Sequence, residues 1–257
     1  MSEREVDWPA YLATFHRERA GVVEAVLSRA LAGDHSPYRW LARAVSATAR
    51  VVLDLACGSG PMSRELARPG RMVVGIDRSE HELALAAGQS QGPWVQADGL
   101  RLPFRDSSVD VVTSSMGLVV VQPTSQVLAE VARVLRPGGV LAGIAPALRP
   151  LAARDLRTLT SINARLRTKP QFPGPVEMTG FTRMLDGVGM RTVEDARQRY
   201  CFSIRSRPDA DLMMSALYLP STRPVRVERA VDYLAERLDR QEVVEVAIPM
   251  RRIVAIK

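Results

Sequence analysis

The stretch that decides the fold is VLDLACGSGP, which runs from Val52 to Pro61. Val51 extends its apolar first half, and this half predicts a short buried β-strand. Gly58 and Gly60 follow, and Pro61 suits the first position of a helix, where a missing N–H removes no intrahelical hydrogen bond. A strand that leads through a glycine turn into a helix lets a ligand approach the backbone closely. The stretch therefore predicts a ligand site at the carboxyl end of a strand in an α/β sheet.

Strands and helices alternate along the chain after this stretch. The strand-like segments are RVVLDLA, RMVVGID, WVQAD, VDVVTSSM and VLAGIAPA, and helical segments separate most of them. One helix, SEHELALAAG, opens with the capping-box pattern Ser79-x-x-Glu82. Such alternation predicts a parallel sheet that is covered by helices on both faces. RTVEDARQRYCFSI and EVVEVAIPMRRIVAIK are expected to add two strands, and Pro249 indicates a bulge or an edge position in the last one.

The chain divides into a helical start and a main domain. Residues 1–50 predict helices only, so we expect an N-terminal helical cap segment, and residues 51–257 form the domain itself. Residues 151–240 are expected to contribute lid elements on the acceptor side, among them the proline-rich loop KPQFPGPVEMTG. Two groups have both a packing and a site interpretation. One face of the first helix either caps a substrate or packs on the domain, and it consists of Trp8, Tyr11, Phe15 and His16. A later stripe at helical spacing is expected in the core rather than in a pocket, and it consists of Met213, Met214 and Tyr218.

Composition excludes several classes of protein. The 257 residues are 46% hydrophobic, which is enough for one substantial core. The first residues lack the apolar run of a signal peptide, no apolar run is long enough for a membrane span, and Cys57 and Cys201 give no disulfide framework. A cytoplasmic protein is expected. The net charge is +7, and because Lys169 and Lys257 are the only lysines, 33 of the 35 basic residues are arginines. A nucleic-acid partner or a coding bias toward arginine would explain this charge, and the dispersed arginines favour the bias.

Acidic residues stand at the ends of three successive strands. Asp77 follows Gly60 by 17 residues and can accept both hydroxyl groups of a ribose, while Asp98 can meet an adenine ring. The dinucleotide pattern G-x-G-x-x-G is incomplete, because Ser63 occupies the third glycine position. Asp54, at the base of the turn, would repel a diphosphate but can neutralise the ammonium group of S-adenosylmethionine. The pattern therefore favours this sulfonium cofactor.

Four motifs in this order resemble the class I S-adenosylmethionine-dependent methyltransferases: VVLDLACGSG, VVGIDRS, QADGLRLPFRDSSVDVVTSSMGL and EVARVLRPGGVLA. The closest branch is the small-molecule one that includes the ubiquinone/menaquinone C-methyltransferases. The resemblance covers about residues 51–145. It implies a Rossmann-like, doubly wound α/β fold whose seven-stranded sheet has the order 3-2-1-4-5-7-6, with the last strand antiparallel.

The resemblance also implies roles for individual residues. Asp54 and the backbone of the turn would hold the methionine part of the cofactor, through Ala56, Cys57, Gly58 and Gly60. Asp77 would hold the ribose, Asp98 and Gly99 would hold the adenine, and Ser114 would line the methyl-transfer cleft. Arg78 stands with Ser79 where an apolar residue often packs on the adenine, so we count Arg78 as a cofactor contact and leave the other adenine face unassigned. The Cys57 side chain is expected beneath the turn, with a nucleophilic role as the alternative.

These observations predict methyl transfer from S-adenosylmethionine to a small-molecule acceptor, such as a secondary metabolite or a quinone-like compound, with S-adenosylhomocysteine as product. Orientation in a closed site can supply much of the acceleration. His16 is the candidate base if the acceptor must lose a proton, and no metal is required. An RNA or DNA methyltransferase and a regulatory protein that binds the cofactor without turnover are the alternatives. Nucleic acid is less favoured, because TSSMG stands where amino-methylating enzymes carry [DNS]-P-P-[YF]. The acceptor stays open, as does the choice between monomer and homodimer.

Overall fold

The computed structural model describes residues 6–257, so the first five residues of the expected cap segment lie outside the described residues. One seven-stranded sheet has the order β3-β2-β1-β4-β5-β7-β6. β7 is antiparallel to β5 and β6, and the other neighbouring strands are parallel. The strands are β1 (Val51–Leu55), β2 (Met72–Asp77), β3 (Trp94–Gln96), β4 (Val109–Ser115), β5 (Leu135–Pro146), β6 (Arg191–Ile204) and β7 (Val244–Ile256). The expected strand order and the antiparallel last strand are confirmed.

Helices cover both faces of this sheet and one end of it. They are α1 (Trp8–Glu18), α2 (Val22–Leu27), α3 (Pro37–Ala42), α4 (Pro61–Leu66), α5 (Glu80–Gln89), α6 (Gly117–Val120), α7 (Thr124–Val134), α8 (Ala153–Leu166), α9 (Phe181–Gly187), α10 (Arg207–Ser215) and α11 (Pro224–Leu238), with a 3₁₀ turn at Val176–Met178. Among residues 6–257, no helix is both long enough and apolar enough to span a membrane.

Two apolar layers hold the sheet between these helices. Because successive strand residues point to opposite faces, Val52 packs into the layer under α2, α3, α4, α8, α10 and α11, while Leu53 packs into the layer under α6, α7 and α9. Both side chains are almost fully buried. Burial of an aliphatic side chain of this size contributes about 1.5 to 3 kcal/mol. The continuous apolar runs of the sequence therefore correspond to strands that are covered on both faces.

The start of α5 differs from the expected capping box. The Ser79 hydroxyl accepts the Glu82 N–H at 3.3 Å, which is the first half of the motif. The Ser79 N–H, however, donates to Oδ1 of Asp77 at 2.8 Å instead of to the Glu82 carboxylate. Asp77 therefore completes the cap, and the Glu82 side chain is free for contacts elsewhere.

Pro249 has the edge position that the sequence indicated, but only locally, because β5 pairs with β7 no further than Met250. β7 is an interior strand, and its only register shift against β6 lies far from Pro249, which faces Arg199. The Pro249 carbonyl accepts the Ala147 N–H at 2.8 Å on the β5 side, just beyond the last β5–β7 pair, Pro146 and Met250. The N–H and C=O of one strand residue point to the same side. An N–H at position 249 would thus point toward β5, which no longer pairs with β7 there. Proline at this position therefore removes no hydrogen bond to β6.

Candidate functional site

A cleft of about 570 Å³ opens at the carboxyl ends of β1, β2, β3 and β4. This volume is in the range of small-molecule sites. The glycine turn forms the floor, and α1 with Pro173 of the proline-rich loop forms the opposite wall. The cleft brings together nine of the eleven residues that the sequence singled out: His16, Asp54, Ala56, Cys57, Gly58, Asp77, Arg78, Asp98 and Gly99.

Ser114 does not line the cleft, so this expectation is wrong by one position. The side chain is fully buried, and its hydroxyl donates to the Leu55 carbonyl at 3.0 Å, across to the neighbouring strand. Ser115, the last residue of β4, borders the cleft instead. The cleft lies beyond the strand ends, and the two side chains point to opposite faces of the sheet. Only the terminal residue reaches it.

Gly60 also serves a different purpose from the expected one. It lies outside the cleft lining and has a φ of 82°, which favours glycine. A Cβ on Gly60 would lie 2.6 Å from the Trp94 ring, and one on Gly75 would lie 2.4 Å from the same ring. Both glycines therefore make room for Trp94 beneath the turn. Gly60 shapes the turn and does not face a ligand.

Asp54 lies buried at the base of the cleft. Its carboxylate accepts the Ser63 hydroxyl at 2.7 Å and the Thr113 hydroxyl at 3.2 Å. Burial raises the pKa of Asp54 to about 7, against the lowering effect of these two hydrogen bonds. Within residues 6–257, no arginine, lysine or histidine pairs with it. A cation that entered the cleft beside Asp54 would supply the missing counter-charge.

Asp77 closes the glycine turn from the neighbouring strand. Its Oδ2 accepts the Gly58 N–H at 2.8 Å, and its Oδ1 accepts the Ser79 N–H at 2.8 Å. Burial raises the pKa of Asp77 as well, although these backbone hydrogen bonds oppose the effect. Each carboxylate oxygen has room for a second hydrogen bond, so both oxygens can still accept from a ligand.

The backbone of the turn is less available than the sequence suggested. The Cys57 N–H donates to the Ile76 carbonyl at 2.9 Å, the Gly58 N–H is held by Asp77, and the Gly60 N–H donates to the Cys57 carbonyl at 3.0 Å. The turn is therefore not a row of free N–H donors, and it does not have the character of a phosphate cradle. The Cys57 thiol is buried, and burial raises its pKa, so the packing role holds and the nucleophilic alternative does not.

The third strand end forms the rim of the cleft. Asp98 is exposed, and its Oδ1 accepts the Leu100 N–H at 2.9 Å, which leaves the other oxygen free within the described chain. Gly99 is buried, and a Cβ there would lie 3.1 Å from Leu55. Arg78 is exposed at the same rim. These three residues are placed where a flat ring could rest between the strand end and solvent.

The first helix packs on the domain with one face and borders the cleft with another. Trp8, Leu12 and His16 recur every four residues and line the cleft. Phe15 is 4% exposed and packs inward, with Tyr11 at a ring distance of 6.2 Å. Helical periodicity thus separates one face that borders the site from one that anchors the helix.

Sequence reasoning missed two partners of His16. Its Nδ1 lies 2.8 Å from Oε1 of Glu82, and its Nε2 lies 3.1 Å from the Tyr218 hydroxyl. Both partners border the cleft and are almost fully buried. Tyr218 thereby departs from the stripe that was expected in the core, where Met213 and Met214 do lie. No local signal announces these contacts, because 66 and 202 residues separate the partners along the chain.

The cleft is acidic although the chain as a whole carries a charge of +7. Its lining includes two arginines, Arg17 and Arg78, and six carboxylates: Glu24, Asp54, Asp77, Glu80, Glu82 and Asp98. Within the described residues only one of the six, Glu24, pairs with an arginine, Arg64. The local field therefore favours a cationic ligand and disfavours one that carries phosphates.

Part of this chain matches known proteins. Residues 53–143 match the family described as a methyltransferase domain. The chain is 45% identical over 91 residues to the demethylmenaquinone methyltransferase of Corynebacterium kroppenstedtii, covering 35% of this chain and 39% of that protein. It is 40% identical over 126 residues to that of Streptomyces avermitilis, covering 48% and 53%. The matches thus span about half the length of these relatives or less.

Solved structures share the whole fold at low sequence identity. An S-adenosylmethionine-dependent methyltransferase from Methanosarcina mazei aligns with a TM-score of 0.54 and 18% identity, covering 87% of this chain and 98% of that one. The [4+2]-cyclase SpnF aligns with a TM-score of 0.63 and 16% identity, covering 96% and 94%. A cyclase shares this fold, so the fold does not fix the reaction. Residues 53–143 thus match the methyltransferase domain family, and the strand order is the one that the resemblance implied.

Proposed function

We propose that the protein binds S-adenosylmethionine and transfers its methyl group to an aromatic small molecule of the reduced-quinone type, releasing S-adenosylhomocysteine. The observation that carries this proposal is a pair of carboxylates, the fully buried Asp54 and the half-buried Asp77, which have no cationic partner within residues 6–257. A buried carboxylate without a counter-charge is costly. A cofactor with an ammonium and a sulfonium group would offset that cost.

The residues of the cleft fit this cofactor part by part. Asp54 would hold the ammonium group, with the Ala56–Ser59 turn beside the methionine chain. Asp77 would accept the ribose hydroxyls through the free positions on its two oxygens. Asp98 and Gly99, with Arg78 at the rim, would hold the adenine. The engaged N–H groups of the turn support a cofactor without phosphates over a dinucleotide.

The acceptor side is mainly apolar. Its walls come from α1, from the segment after β4 and from the proline-rich loop, and they include Trp8, Leu12, Met116, Val120, Val121 and Pro173. Such a slot suits a flat hydrocarbon ring. The relatives named as demethylmenaquinone methyltransferases support a quinone-type acceptor. The ring must be in its reduced, dihydroxy form, because an electron-poor quinone is a weak nucleophile toward a methyl cation donor.

When bound, S-adenosylmethionine supplies a methyl group that the positive sulfur already activates. The protein then has to align the acceptor with it, hold both, and exclude water. The Gly174 N–H donates to the Val119 carbonyl at 2.8 Å, and the Gln171 N–H donates to the Tyr218 carbonyl at 3.0 Å. These bonds fix the proline-rich loop across the cleft from α1. The two segments together would form the closing wall.

The test is titration calorimetry with S-adenosylmethionine, S-adenosylhomocysteine and NAD, followed by product analysis. We expect both sulfur compounds to bind in the micromolar range, about −8 kcal/mol, and NAD not to bind. Heat from NAD alone would contradict the cofactor assignment. Methyl transfer is then assayed with S-adenosylmethionine and 1,4-dihydroxynaphthalene under anaerobic conditions. Cofactor binding without transfer to this or other small acceptors would favour a regulatory binding protein.

Nucleic acid is the second acceptor class to be tested. The acidic cleft lining would repel a phosphate backbone, although the chain as a whole is basic. We expect no methyl incorporation into total RNA or duplex DNA under conditions in which the naphthalene diol is methylated. Incorporation into nucleic acid alone would reverse the assignment of the acceptor.

A further inference from the structure

Three side chains from distant parts of the chain form a continuous line of hydrogen bonds at the cleft. Glu82 lies on α5, His16 lies on α1, and Tyr218 follows α10. The distances are 2.8 Å from Glu82 Oε1 to His16 Nδ1 and 3.1 Å from His16 Nε2 to the Tyr218 hydroxyl. All three residues border the cleft. We call this line the Glu–His–Tyr chain.

Helix capping does not explain Glu82. Asp77 completes the cap that the sequence assigned to Glu82, as described above. Glu82 is only 4% exposed, and its second oxygen, Oε2, accepts the Gly21 N–H at 3.0 Å. A carboxylate kept this deeply buried needs strong partners, and His16 is its only ionisable partner within the described residues.

The carboxylate determines how the imidazole is protonated. An ionised carboxylate can only accept hydrogen bonds, so with Glu82 ionised Nδ1 of His16 carries the proton that faces it. Nε2 of the neutral ring is then a lone-pair acceptor, and the Tyr218 hydroxyl is its donor. In this arrangement the Tyr218 proton points at a base, and the Tyr218 oxygen keeps its lone pairs for a donor in the cleft.

Packing fixes the position of Tyr218. The centre of its ring lies 4.7 Å from the ring centre of Phe15 and 5.7 Å from that of Phe172, both in edge-to-face contacts. Its carbonyl accepts the Gln171 N–H at 3.0 Å. The side chain is 5% exposed. The hydroxyl is therefore held in place by α1 on one side and by the proline-rich loop on the other.

The Glu–His–Tyr chain ends where an apolar slot begins. Trp8 and Leu12 precede His16 at four-residue intervals on the same face of α1 and line the cleft. Val120, Val121 and Pro173 also line it. An apolar slot with a proton acceptor at one end matches a flat hydrocarbon ring that carries a hydroxyl group.

The Glu–His–Tyr chain also lies on the correct side of the proposed cofactor. A Cβ on Gly58 would lie 3.8 Å from Oε2 of Glu82, and the Gly58 N–H donates to Asp77 at 2.8 Å, so Glu82 lies close to Asp77. Asp77 is the residue proposed for the ribose. The sulfur of S-adenosylmethionine is bonded to the ribose C5′, so a group beside the ribose site is within a few bonds' length of the transferred methyl.

We propose that the Glu–His–Tyr chain is a proton relay and that the acceptor is a hydroxyarene, a phenol or hydroquinone, whose hydroxyl hydrogen-bonds to Tyr218. This inference rests on the proposed function, whose reduced-quinone acceptor is such a compound, and adds the side chains that take its proton. Tyr218 is the catalytic residue that touches the acceptor, and His16 and Glu82 act through it.

The proton and electron balance follows from the geometry. The acceptor O–H bond breaks, and its proton goes to the Tyr218 oxygen while the Tyr218 proton goes to Nε2 of His16. The electron pair stays on the acceptor, where it makes the oxygen and the adjacent ring carbon nucleophilic. One of these atoms forms the new bond to the methyl group, and the electrons of the sulfur–methyl bond stay on sulfur. The imidazolium remains paired with Glu82 until solvent removes the proton.

A hydroxyarene is the acceptor class for which such a relay is useful. A phenol has a pKa of about 10, close enough to that of an imidazole, about 6.5, for general-base assistance to be effective. A neutral amine already offers a lone pair and needs no base before transfer. An aliphatic alcohol is too weak an acid for an imidazole to ionise.

The experiment compares relay variants with a matched control. Tyr218→Phe and His16→Gln interrupt the relay and keep the side-chain size. Tyr11→Phe removes the 2.8 Å hydrogen bond from the Leu219 N–H to the Tyr11 hydroxyl. That bond also ties α1 to the segment after α10, but Tyr11 lies outside the cleft lining. The probe is 1,4-dihydroxynaphthalene with S-adenosylmethionine under anaerobic conditions. Calorimetry with S-adenosylhomocysteine and thermal melting accompany each rate.

We expect Tyr218→Phe and His16→Gln to lose about 100-fold or more in kcat at pH 7, as is typical when a general base is removed. Their affinity for S-adenosylhomocysteine should stay close to wild type. The rates should recover as the pH approaches the hydroxyl's own pKa, about 10, where solution ionises the acceptor. A second readout needs no turnover. The probe bound to the complex with S-adenosylhomocysteine should show its naphtholate spectrum at a lower pH in wild type than in His16→Gln.

Four results would overturn the inference, and they separate it from the proposed function. Relay variants no slower than Tyr11→Phe would show that the Glu–His–Tyr chain only holds α1. A naphtholate spectrum that appears at the same pH in wild type and His16→Gln would exclude proton transfer to the relay. Binding of S-adenosylhomocysteine without methylation of the probe would contradict the relay and the proposed acceptor, and would leave the cofactor site standing. Absence of S-adenosylhomocysteine binding in wild type would overturn the proposed function itself.

Discussion

The carboxylates of the first two strands differ from those around the last two strands in the partners that the protein gives them. Asp54 and Asp77, on β1 and β2, accept hydrogen bonds only from neutral hydroxyl and N–H groups of the described chain. Burial raises the pKa of both. Neither has an ion-pair partner between residues 6 and 257.

Around β6 and β7, by contrast, arginines form ion pairs with the carboxylates. Arg199 binds Asp155 through two bonds of 2.7 Å, and Arg251 binds Asp195 through bonds of 2.7 and 2.6 Å. Hydrogen bonds from these arginines hold the pKa of Asp155 and of Asp195 below the ordinary range. Bidentate pairs of this kind are the stronger class of ion pair.

This difference indicates which carboxylates are left without a counter-charge from the protein. With 33 arginines among 257 residues, a cationic partner for Asp54 or Asp77 would have been easy to place. Asp155 and Asp195 have such partners, and Asp54 and Asp77 do not. The counter-charge at the cleft is therefore left to the ligand, whereas at β6 and β7 it is part of the fold.

The largest expected effect is on the arginine-paired side. Asp155→Ala should lower the free energy of unfolding by about 3 to 5 kcal/mol, because it removes both short hydrogen bonds of Arg199, which keeps only Glu245 at 3.9 Å, and the acceptor of the Ala152 N–H, 2.7 Å away at the start of α8. Urea unfolding measures this. Glu18→Ala, which breaks an exposed pair with Arg17, is the control and should change stability by no more than about 0.5 kcal/mol. Equal losses in the two variants would contradict the comparison.

The next effect is on cofactor affinity. Asp77→Ala should weaken S-adenosylhomocysteine binding by about 2 to 4 kcal/mol, because two ribose hydroxyls lose a charged acceptor. Asp77→Asn should cost less, since one acceptor oxygen remains. Calorimetry gives both values, and Asp195→Ala serves as the arginine-paired control with unchanged affinity. If Asp77→Ala bound as tightly as wild type, the ribose would have to lie elsewhere.

The pH dependence of stability should differ between the two groups of carboxylates. The folded pKa of Asp54, about 7, is above its unfolded value, so its ionisation destabilises the fold as the pH rises through 7. From pH 6 to pH 8 this should cost about 1 kcal/mol. The arginine-paired acids have lowered pKa values, so their contribution is constant here and is lost only below about pH 4.

This is measured as the wild-type stability minus that of Asp54→Asn at pH 6 and at pH 8. Groups that titrate in the same way in both proteins cancel in this difference. A difference that does not change between the two pH values would mean that Asp54 is already ionised at pH 6.

The smallest effect concerns binding. An ammonium group beside Asp54 favours the ionised carboxylate, so S-adenosylhomocysteine affinity should fall several-fold from pH 8 to pH 6. Asp54→Asn should bind more weakly at pH 8 and show a flatter dependence, with Asp77 as the remaining titrating acid. An unchanged slope in Asp54→Asn would place the ammonium group away from Asp54.

The sequence alone was sufficient where position along the chain is also position in space. The β1–turn–α4 unit, its glycines and the acids at three strand ends are read directly, because parallel strands present their carboxyl ends at one edge. Asp54, Asp77 and Asp98 therefore reach one cleft, as their spacing predicted. The seven strands follow from apolar runs, and their order came from the resemblance of four motifs.

Tertiary structure alone decided how individual side chains are used. β4 ends in two serines, and the sequence does not indicate which of them reaches the cleft. Ser115 borders the cleft, and Ser114 is buried. Gly60 has the pattern of a ligand turn, but Trp94, 34 positions later, fills the space beside it.

The Glu–His–Tyr chain shows the same limit at the site itself. Glu82 has the pattern of a helix cap and Tyr218 that of a core stripe, and both patterns are compatible with their local sequence. Their contacts with His16 join residues 66 and 202 positions apart. Local sequence sets the periodicity of a helix and so which residues share a face, but only packing sets what that face meets. The sequence therefore determined the fold and the acidic floor of the cleft, and tertiary packing determined the wall that carries His16, Glu82 and Tyr218.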